Sequence, residues 1–227
     1  AVLEQLDPVI DGGILGASYT ISAQFMNTLT THLDTLHSGY LFPQAGQTSR
    51  TMQTGVSSGD GVNHENWWAQ GFGSTMEQDA RDGISGYEAD VWGTAIGADR
   101  SINEKVRLGW AGGYANGDVD SKGDNGQTDI DSYQGSIYGG YSDGPWHANA
   151  AFVFAWNEYD STRNIRFGSV DRTATSDYSG QQYNGLIDGG YTFKNGPWDI
   201  TPTASLNYIH LAIEDYTEEG ADSLNLN

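Results

Sequence analysis

Apolar and polar residues alternate along much of the chain between residues 65 and 211. In the stretch 145–157 the even positions are all apolar, and they are Trp146, Ala148, Ala150, Phe152, Phe154 and Trp156. Alternation with a period of two predicts β-strands that carry one apolar face. We predict seven strands, at about residues 65–75, 86–98, 105–115, 129–141, 146–158, 181–193 and 198–211, and the start of another at 223–227.

Residues 18–37 follow a different period, which predicts the one convincing helix of the chain. Its apolar positions recur three and four residues apart and form one stripe, at Ile21, Phe25, Leu29, Leu33 and Leu36. Ser18 is the expected N-cap. The rest of the helix surface carries mainly hydroxyl and amide side chains, where a solvent-exposed helix usually carries Lys and Glu. Such a surface suits a helix that is enclosed by a polar wall, and a simple surface helix stays open as an alternative.

These two periods divide the chain into three regions. Residues 1–40 form an N-terminal segment that contains the amphipathic helix. Residues 41–62 are rich in Gly, Ser, Thr and Gln and show no period, so we predict a flexible linker there. Residues 63–227 form the β domain.

Aromatic residues stand at both ends of the apolar strand faces, in the pairs Trp146 and Trp156, Trp198 and Tyr208, and Tyr133 and Tyr141. Two aromatic rows separated by about ten residues match the two interfaces of a bilayer. Short connections also alternate with longer polar ones: the short ones lie at 99–104, 142–145 and 194–197, the longer ones at 76–85, 116–128, 159–180 and 212–222. The predicted fold class is therefore all-β, an antiparallel transmembrane up-and-down β-barrel. A soluble all-β binding domain stays open as an alternative, because its strands would alternate as well.

Composition narrows the classes of function. The net charge is −20, and the ten Lys and Arg residues form no basic patch, which argues against binding to nucleic acid. No run of roughly 18 consecutive apolar residues is present, so the sequence predicts no transmembrane helix. Cysteine is absent, which excludes a disulfide scaffold and thiolate chemistry.

No motif predicts catalysis, a cofactor or a bound metal, and we expect the chain not to be an enzyme. The five histidines lack metal-ligand spacing, and no G-x-S-x-G nucleophile elbow is present. Loop 118–129 matches a calcium loop in part, through Asp118, Asp120, Gly123 and Asp129. Lys122 stands at a ligand position of that pattern, so an acidic, solvated loop is the preferred interpretation.

Four carboxylates, Glu88, Asp90, Asp188 and Asp199, fall in the register that we assign to the polar strand faces. There they would solvate a lumen or bond to the helix. In an open pore they would favour cations, and a porin-like or adhesive barrel is therefore a second alternative.

Several ordered motifs resemble a known family. After the helix and the linker come W-x-Q-G-F-G at Trp68 to Gly73, D-G-I-S-G-Y at Asp82 to Tyr87, G-T-A-I-G-A-D-R at Gly93 to Arg100, and L-G-W-A-G-G-Y at Leu108 to Tyr114. This order resembles the β-domain of autotransporters, the type V secretion proteins of Gram-negative bacteria, over nearly the whole chain.

The resemblance implies a twelve-stranded barrel in the outer membrane with a helix in its pore, and residues 18–37 match that pore helix. It also implies that the barrel assists export of its own passenger domain together with the barrel-assembly machinery, without ATP or a cofactor. One class of the family cleaves its pore helix at an Asn-Asn pair. Here Asn27 is followed by Thr28, so we do not expect self-cleavage.

The sequence departs from the family pattern at its end. Family members continue for several more strands and finish on an aromatic residue, whereas this sequence stops on Asn227. A sheet of seven strands would leave two open edges, whose backbone groups lipid cannot satisfy. We therefore expect that the β-domain is truncated at its C-terminus, that another chain completes it, or that the number of strands differs from the seven predicted.

Overall fold

The computed structural model describes residues 12–38, 52–58, 66–80, 86–122 and 126–226. One long helix, α1, spans Gly12–Ser38. The strands are β1 (Met52–Ser58), β2 (Asn66–Gln78), β3 (Tyr87–Ser101), β4 (Val106–Ser121), β5 (Gly126–Asp143), β6 (Trp146–Phe167), β7 (Val170–Tyr191), β8 (Phe193–Asn195), β9 (Trp198–Ile200) and β10 (Thr203–Ile213). A short 3-10 helix at Asp222–Leu224 follows.

Eight of the strands form one antiparallel sheet in the order β1-β2-β3-β4-β5-β6-β7-β10. From β1 to β7 each strand pairs with the next one in the chain, and β7 pairs with β10. The short strands β8 and β9 pair with each other in the connection between β7 and β10. An all-β antiparallel architecture with an N-terminal helix is therefore confirmed. Within the described residues, β1 and β10 are the two edge strands.

The helix begins six residues earlier than predicted, at Gly12 instead of Ser18. Ser18 is not its N-cap: the hydroxyl of Ser18 shares a hydrogen bond of 3.0 Å with the hydroxyl of Tyr159 on β6. Tertiary packing supplies most of the stability of a protein helix, so a helix that the sheet holds along its length can continue past a good capping residue.

The predicted linker at 41–62 is wrong for part of its length, because Met52–Ser58 forms strand β1. Met52 pairs with Gly73 and Ser58 pairs with Trp67 on β2. Backbone N–H and C=O groups form the ladder between paired strands, so a strand can form at a sheet edge without an alternating sequence. Residues 39–51 and 59–65 lie outside the described residues.

The predicted loop at 159–180 is also wrong. Strands β6 and β7 continue through it and meet in a tight turn at Gly168, whose φ is +61°. Period-two alternation persists there, since Ile165 and Ala174 are buried between exposed neighbours. Segment 214–226 folds against this hairpin, where Thr175 and Glu219 form a β-bridge. The expected strand start at 223–227 is therefore not found, since Asp222–Leu224 is the 3-10 helix.

Two of the predicted short turns are present at Gly144 and Gly196, with φ values of +59° and +62°. Glycine has no Cβ, and for this reason it adopts this left-handed conformation at no steric cost. The turns at Gly144 and Gly196 and the turn at residues 102–105 lie at the same end of the sheet. The long β6–β7 hairpin extends from the opposite end. We call these the short-turn end and the hairpin end.

The two faces of the sheet differ sharply. The apolar residues that predicted the strands point away from α1 and are exposed: Trp146 is 59%, Ile187 63% and Leu206 71% accessible. A soluble sandwich would bury these side chains in a core, and the structure does not. The opposite face packs on α1. None of the helices in the described residues is both long and apolar enough to span a bilayer.

Candidate functional site: the interface between the helix and the inner face of the sheet

The helix lies along the inner face of the sheet and contacts every strand from β2 to β7. The predicted stripe is buried there, with Ile21, Phe25, Leu29 and Leu33 at most 1% exposed. The side chain of Leu36 lies outside the described part. Leu15 and Tyr19 are exposed on the remaining side of the helix, which faces β10. The sheet therefore surrounds most of the helix but leaves one side open.

The helix runs from the hairpin end to the short-turn end. At its start, a Cβ atom on Gly13 would lie 3.0 Å from Val119 at the end of β4. Near its end, His32 lies beside Asp99 at the end of β3. The helix therefore spans nearly the full height of the sheet.

Glycines on β4 make room for helix side chains. A Cβ atom on Gly113 would lie 2.4 Å from the Phe25 ring, and one on Gly117 would lie 3.2 Å from Ile21. Any larger residue at Gly113 would displace the ring. The motif at Leu108 to Tyr114 thus includes a glycine that the helix requires, which is a physical reason for the resemblance.

Hydroxyl groups of the helix bond to the other strands. Ser18 bonds to Tyr159, and the Ser22 hydroxyl accepts a hydrogen bond of 3.3 Å from Asn184 on β7. Thr20 donates to the sulfur of Met76 on β2 at 3.0 Å. Ser18, Thr20 and Ser22 therefore have hydrogen-bond partners on the wall, whereas Thr28, Thr30 and Thr35 donate to backbone carbonyls of the helix itself.

A buried ionic cluster joins the helix to the short-turn end. His32 Nε2 lies 2.5 Å from Asp99 Oδ2, and Arg107 on β4 donates to the other oxygen of the same carboxylate. The side chain of Asp99 is fully buried and that of His32 is 8% exposed. Charge-assisted hydrogen bonds of this kind are strong, and breaking one partner leaves a buried charge uncompensated.

Aromatic rings surround this cluster. The indole of Trp68 stacks on the His32 ring at 4.8 Å between centroids, and its N–H donates a 2.6 Å hydrogen bond to the Tyr138 hydroxyl. Trp68 covers Gly97 on β3 and Tyr138 covers Gly109 on β4, each directly across the strand pair. The motifs at Trp68 to Gly73 and Gly93 to Arg100 therefore both contribute residues to the surroundings of this ionic cluster.

Sequence reasoning missed this cluster. It treated His32 as an ordinary polar residue, because neither its spacing nor its neighbours in the chain mark it. Asp99 and Arg107 come from the two strands beside a predicted short turn, so only the register between β3 and β4 brings them together.

Two of the four predicted lumen carboxylates are on the wrong face. Glu88 and Asp90 on β3 are exposed on the outer face together with Trp92, because even positions of β3 point outward. Asp188 on β7 is partly buried and accepts a 3.1 Å hydrogen bond from Asn149. Asp199 is exposed in the short hairpin of β8 and β9.

The aspartates of the partial calcium loop lie on two neighbouring strands. Asp118 and Asp120 lie on β4, and Asp129 lies on β5, where it pairs with Asp118. Gly123 lies outside the described residues. Among the residues that the structure describes, no group of three or more His, Asp or Glu side chains could hold a metal ion.

Comparison with known proteins identifies the matching family. Residues 67–227 match the model of the family described as the autotransporter beta-domain. The chain is 26% identical over 153 residues to an extracellular serine protease of Serratia marcescens, covering 67% of this chain and 14% of the protease. It is 23% identical over 224 residues to the esterase EstA of Pseudomonas aeruginosa, covering 97% of this chain and 35% of the esterase.

The outer membrane protein B of Rickettsia prowazekii is 30% identical over 182 residues, which cover 75% of this chain and 11% of that protein. The chain thus spans 35% or less of the length of these three relatives.

Proposed function

Because the chain belongs to the autotransporter β-domain family, whose members lie in the outer membrane, we propose that it is a translocator that assists export of an N-terminal passenger to the cell surface. The observation that carries this proposal is the enclosed helix, whose buried residues and hydroxyl groups fit the inner face of the sheet. The helix begins at the hairpin end, so a passenger that precedes it would emerge there.

The outer face supports a membrane position for the sheet. On β6 the outward residues from Trp146 to Trp156 are apolar, and acidic residues begin at Glu158. Ten residues of tilted strand, at about 3.3 Å per residue and about 45°, span roughly 25 Å, the height of the apolar band of such barrels. Outer-membrane lipid is therefore the proposed partner of this face.

We propose further that the sheet closes into a barrel. Among the described residues no strand pairs with the outer edge of β10, and such an edge would leave backbone N–H and C=O groups in lipid, which costs several kcal/mol for each group. The helix residues Leu15 and Tyr19 are exposed and lie opposite the inner side of β10. Further strands beyond β10 would cover this exposed side of the helix. Insertion would require the barrel-assembly machinery, the second proposed partner. The passenger of the full protein is the third.

Catalysis has no part in the proposed function. The names of a protease and an esterase describe whole proteins, of which this chain matches a small portion. A translocator needs a helix-lined interior and an apolar outer face, and no catalytic, cofactor-binding or metal residue enters the proposal.

An epitope scan of the full-length protein in Gram-negative cells tests this orientation. Epitopes placed before Gly12 and in the turn at Gly168 should be cleaved by protease added to intact cells. A matched epitope in the turn at Gly144, at the short-turn end, should be cleaved only after the outer membrane is permeabilised. Protection of the epitope before Gly12 in intact cells would refute export through this domain.

A further inference from the structure

The inner face of the sheet has an apolar side and a polar side. On β3 and β4 the inward residues along the helix are small and apolar: Ala89, Val91, Gly93, Ala95, Ala111, Gly113, Ala115 and Gly117. On β5 to β7 they include Ser132, Gln134, Ser136, Asn157, Gln182 and Asn184, all of them buried. The helix therefore packs on small apolar residues at β3 and β4, whereas at β5 to β7 it meets these hydroxyl and amide groups among apolar residues such as Val153 and Ala155.

Several of those polar atoms have no hydrogen-bond partner among the described residues. They are both amide atoms of Gln134, the hydroxyl of Ser132, the amide nitrogen of Gln182 and the amide oxygen of Asn184. Each of these residues is at most 6% exposed. An unsatisfied buried polar group costs about 1–3 kcal/mol, so native proteins rarely leave such atoms without a partner.

The residues that carry these atoms form a polar group on β5 and β7, on either side of β6. Gln134, Ala155 and Gln182 stand in register across β5, β6 and β7, and Asn157 links this row to the next by donating to Gln182. The group contains donors as well as acceptors. A ligand that both donates and accepts at neutral charge matches it, and water is the smallest such ligand.

The group also has a connection to bulk solvent. Gln182 lines a groove of about 410 Å³ between the helix and the inner face of β10, together with Leu15, Tyr19 and Asn207. Gln182 is thus the residue through which the group borders this groove.

We propose that the interface between α1 and strands β5 to β7 is a hydrated seam, in which bound water molecules satisfy Ser132, Gln134, Gln182 and Asn184. The interface between α1 and strands β3 and β4 is dry. The helix therefore occupies the interior asymmetrically, and water and water-sized ions pass along one side of it while it remains in place. This proposal does not depend on export of a passenger.

Cysteine accessibility tests the seam directly, because the chain contains no cysteine and the background is zero. Single variants Gln134→Cys and Ser132→Cys place a thiol in the seam. Ala95→Cys is the matched control: it is buried, faces the helix and lies at the same height, since Ala95, Gly113 and Gln134 stand in register across β3, β4 and β5. The probe is the silver ion, which is close to water in size.

The proposal predicts that silver ions modify the two seam thiols at least roughly tenfold faster than the Ala95→Cys thiol, because thiol reactivity follows access to solvent. Heat-modifiable migration on gels confirms that each variant is folded. If Gln134→Cys does not fold, Ser132→Cys gives the same readout with almost no change of shape. Equal protection of all three thiols would refute the seam. Equal reactivity of all three would refute it too, because it would mean that the whole helix leaves the interior.

Discussion

The Nε2 atom of His32 on the helix lies 2.5 Å from the Oδ2 atom of Asp99 on β3. This contact holds the C-terminal part of the helix at the short-turn end of the sheet. Arg107 shares the same buried carboxylate. Four elements meet here, since Asn66 of β2 also lies within 3.5 Å of Asp99. The position of the helix therefore depends on an acidic residue of the wall as well as on apolar packing.

Replacing Asp99 tests this ionic cluster. Asp99→Asn keeps the shape but removes the charge, and it should lower the free energy of unfolding by about 3 kcal/mol or more, as expected for a broken buried ion pair. The control is Asp143→Asn, which breaks an exposed pair with Lys105 at 2.8 Å and should cost less than about 1 kcal/mol. Denaturant titration in detergent measures both. Similar losses in the two variants would contradict a structural role for the buried cluster.

Removing the Phe25 ring tests the apolar contact between the helix and β4. Phe25→Ala should cost about 3–5 kcal/mol, because the ring is completely buried and leaves a cavity over Gly113. Leu15→Ala on the exposed side of the same helix should stay within about 0.5 kcal/mol of the parent protein. The same titration measures both variants. A Phe25→Ala protein as stable as Leu15→Ala would mean that the helix does not pack where the structure places it.

A charge on the outer face tests the membrane position. Ile187 is 63% exposed near the middle of the apolar band, so Ile187→Arg should destabilise the protein in lipid vesicles by about 2–4 kcal/mol. Glu88→Arg, on the same face beyond the aromatic row, should cost about 1 kcal/mol or less. Folding titrations into vesicles compare the two. If Ile187→Arg folds as readily as Glu88→Arg, the outer face does not contact acyl chains.

Aspartates of four strands stand in register on the outer face: Asp118, Asp129, Asp160 and Asp177. They lie beyond the aromatic row that is nearer the hairpin end of the sheet. This row of aspartates lies outside the membrane-spanning part of the strands. The hydrogen bond that the protonated Asp129 donates to Asp118, with partial burial and the charges of its neighbours, raises the pKa of Asp129 from 3.8 to about 6. The folded protein therefore binds a proton more tightly there than the unfolded chain does.

The sign of the pH dependence follows from this raised pKa. The stabilisation from the protonated Asp129 is complete below about pH 4 and is lost as the pH rises through about 6. Asp129→Asn should therefore flatten the decrease in thermal stability between about pH 4 and 7, whereas Asp120→Asn should preserve it. Melting temperatures of the parent protein and of both variants, measured across that pH range, test this prediction. An unchanged slope in Asp129→Asn would show that the pair does not share a proton.

The sequence predicted the strands well because the outer face repeats a simple rule. Lipid-facing residues alternate with small or polar ones, and each of the seven complete predicted strands overlaps a strand of the structure, whereas the predicted strand start at 223–227 does not. Strand β1 was missed because the sequence of Met52–Ser58 does not alternate between apolar and polar residues. The β6–β7 hairpin was taken for a loop because charged and hydroxyl residues dominate its alternation outside the bilayer.

The interior was harder to predict. The stripe from Ile21 to Leu33 is visible in the sequence, but its partners are not, because Phe25 meets a glycine on β4 and His32 meets an aspartate on β3. Such contacts depend on the rotation of the helix and on the register of the strands. The same limit explains why Glu88 and Asp90 were assigned to the inner face: aromatic residues occur on both faces of β2 and β3, so parity alone does not identify the outer one.

Cross-linking between the helix and the inner wall tests the central claim most directly. Ser22 and Asn184 are hydrogen-bonded at 3.3 Å, so the double variant Ser22→Cys with Asn184→Cys should be joined by a short thiol cross-linker in the folded, membrane-embedded protein. Ser22→Cys with Ile187→Cys places the second thiol on the outer face of the same strand and should not react. Joining of the first pair alone is the predicted result. Failure of that pair, or equal joining of both pairs, would contradict a helix held inside the sheet.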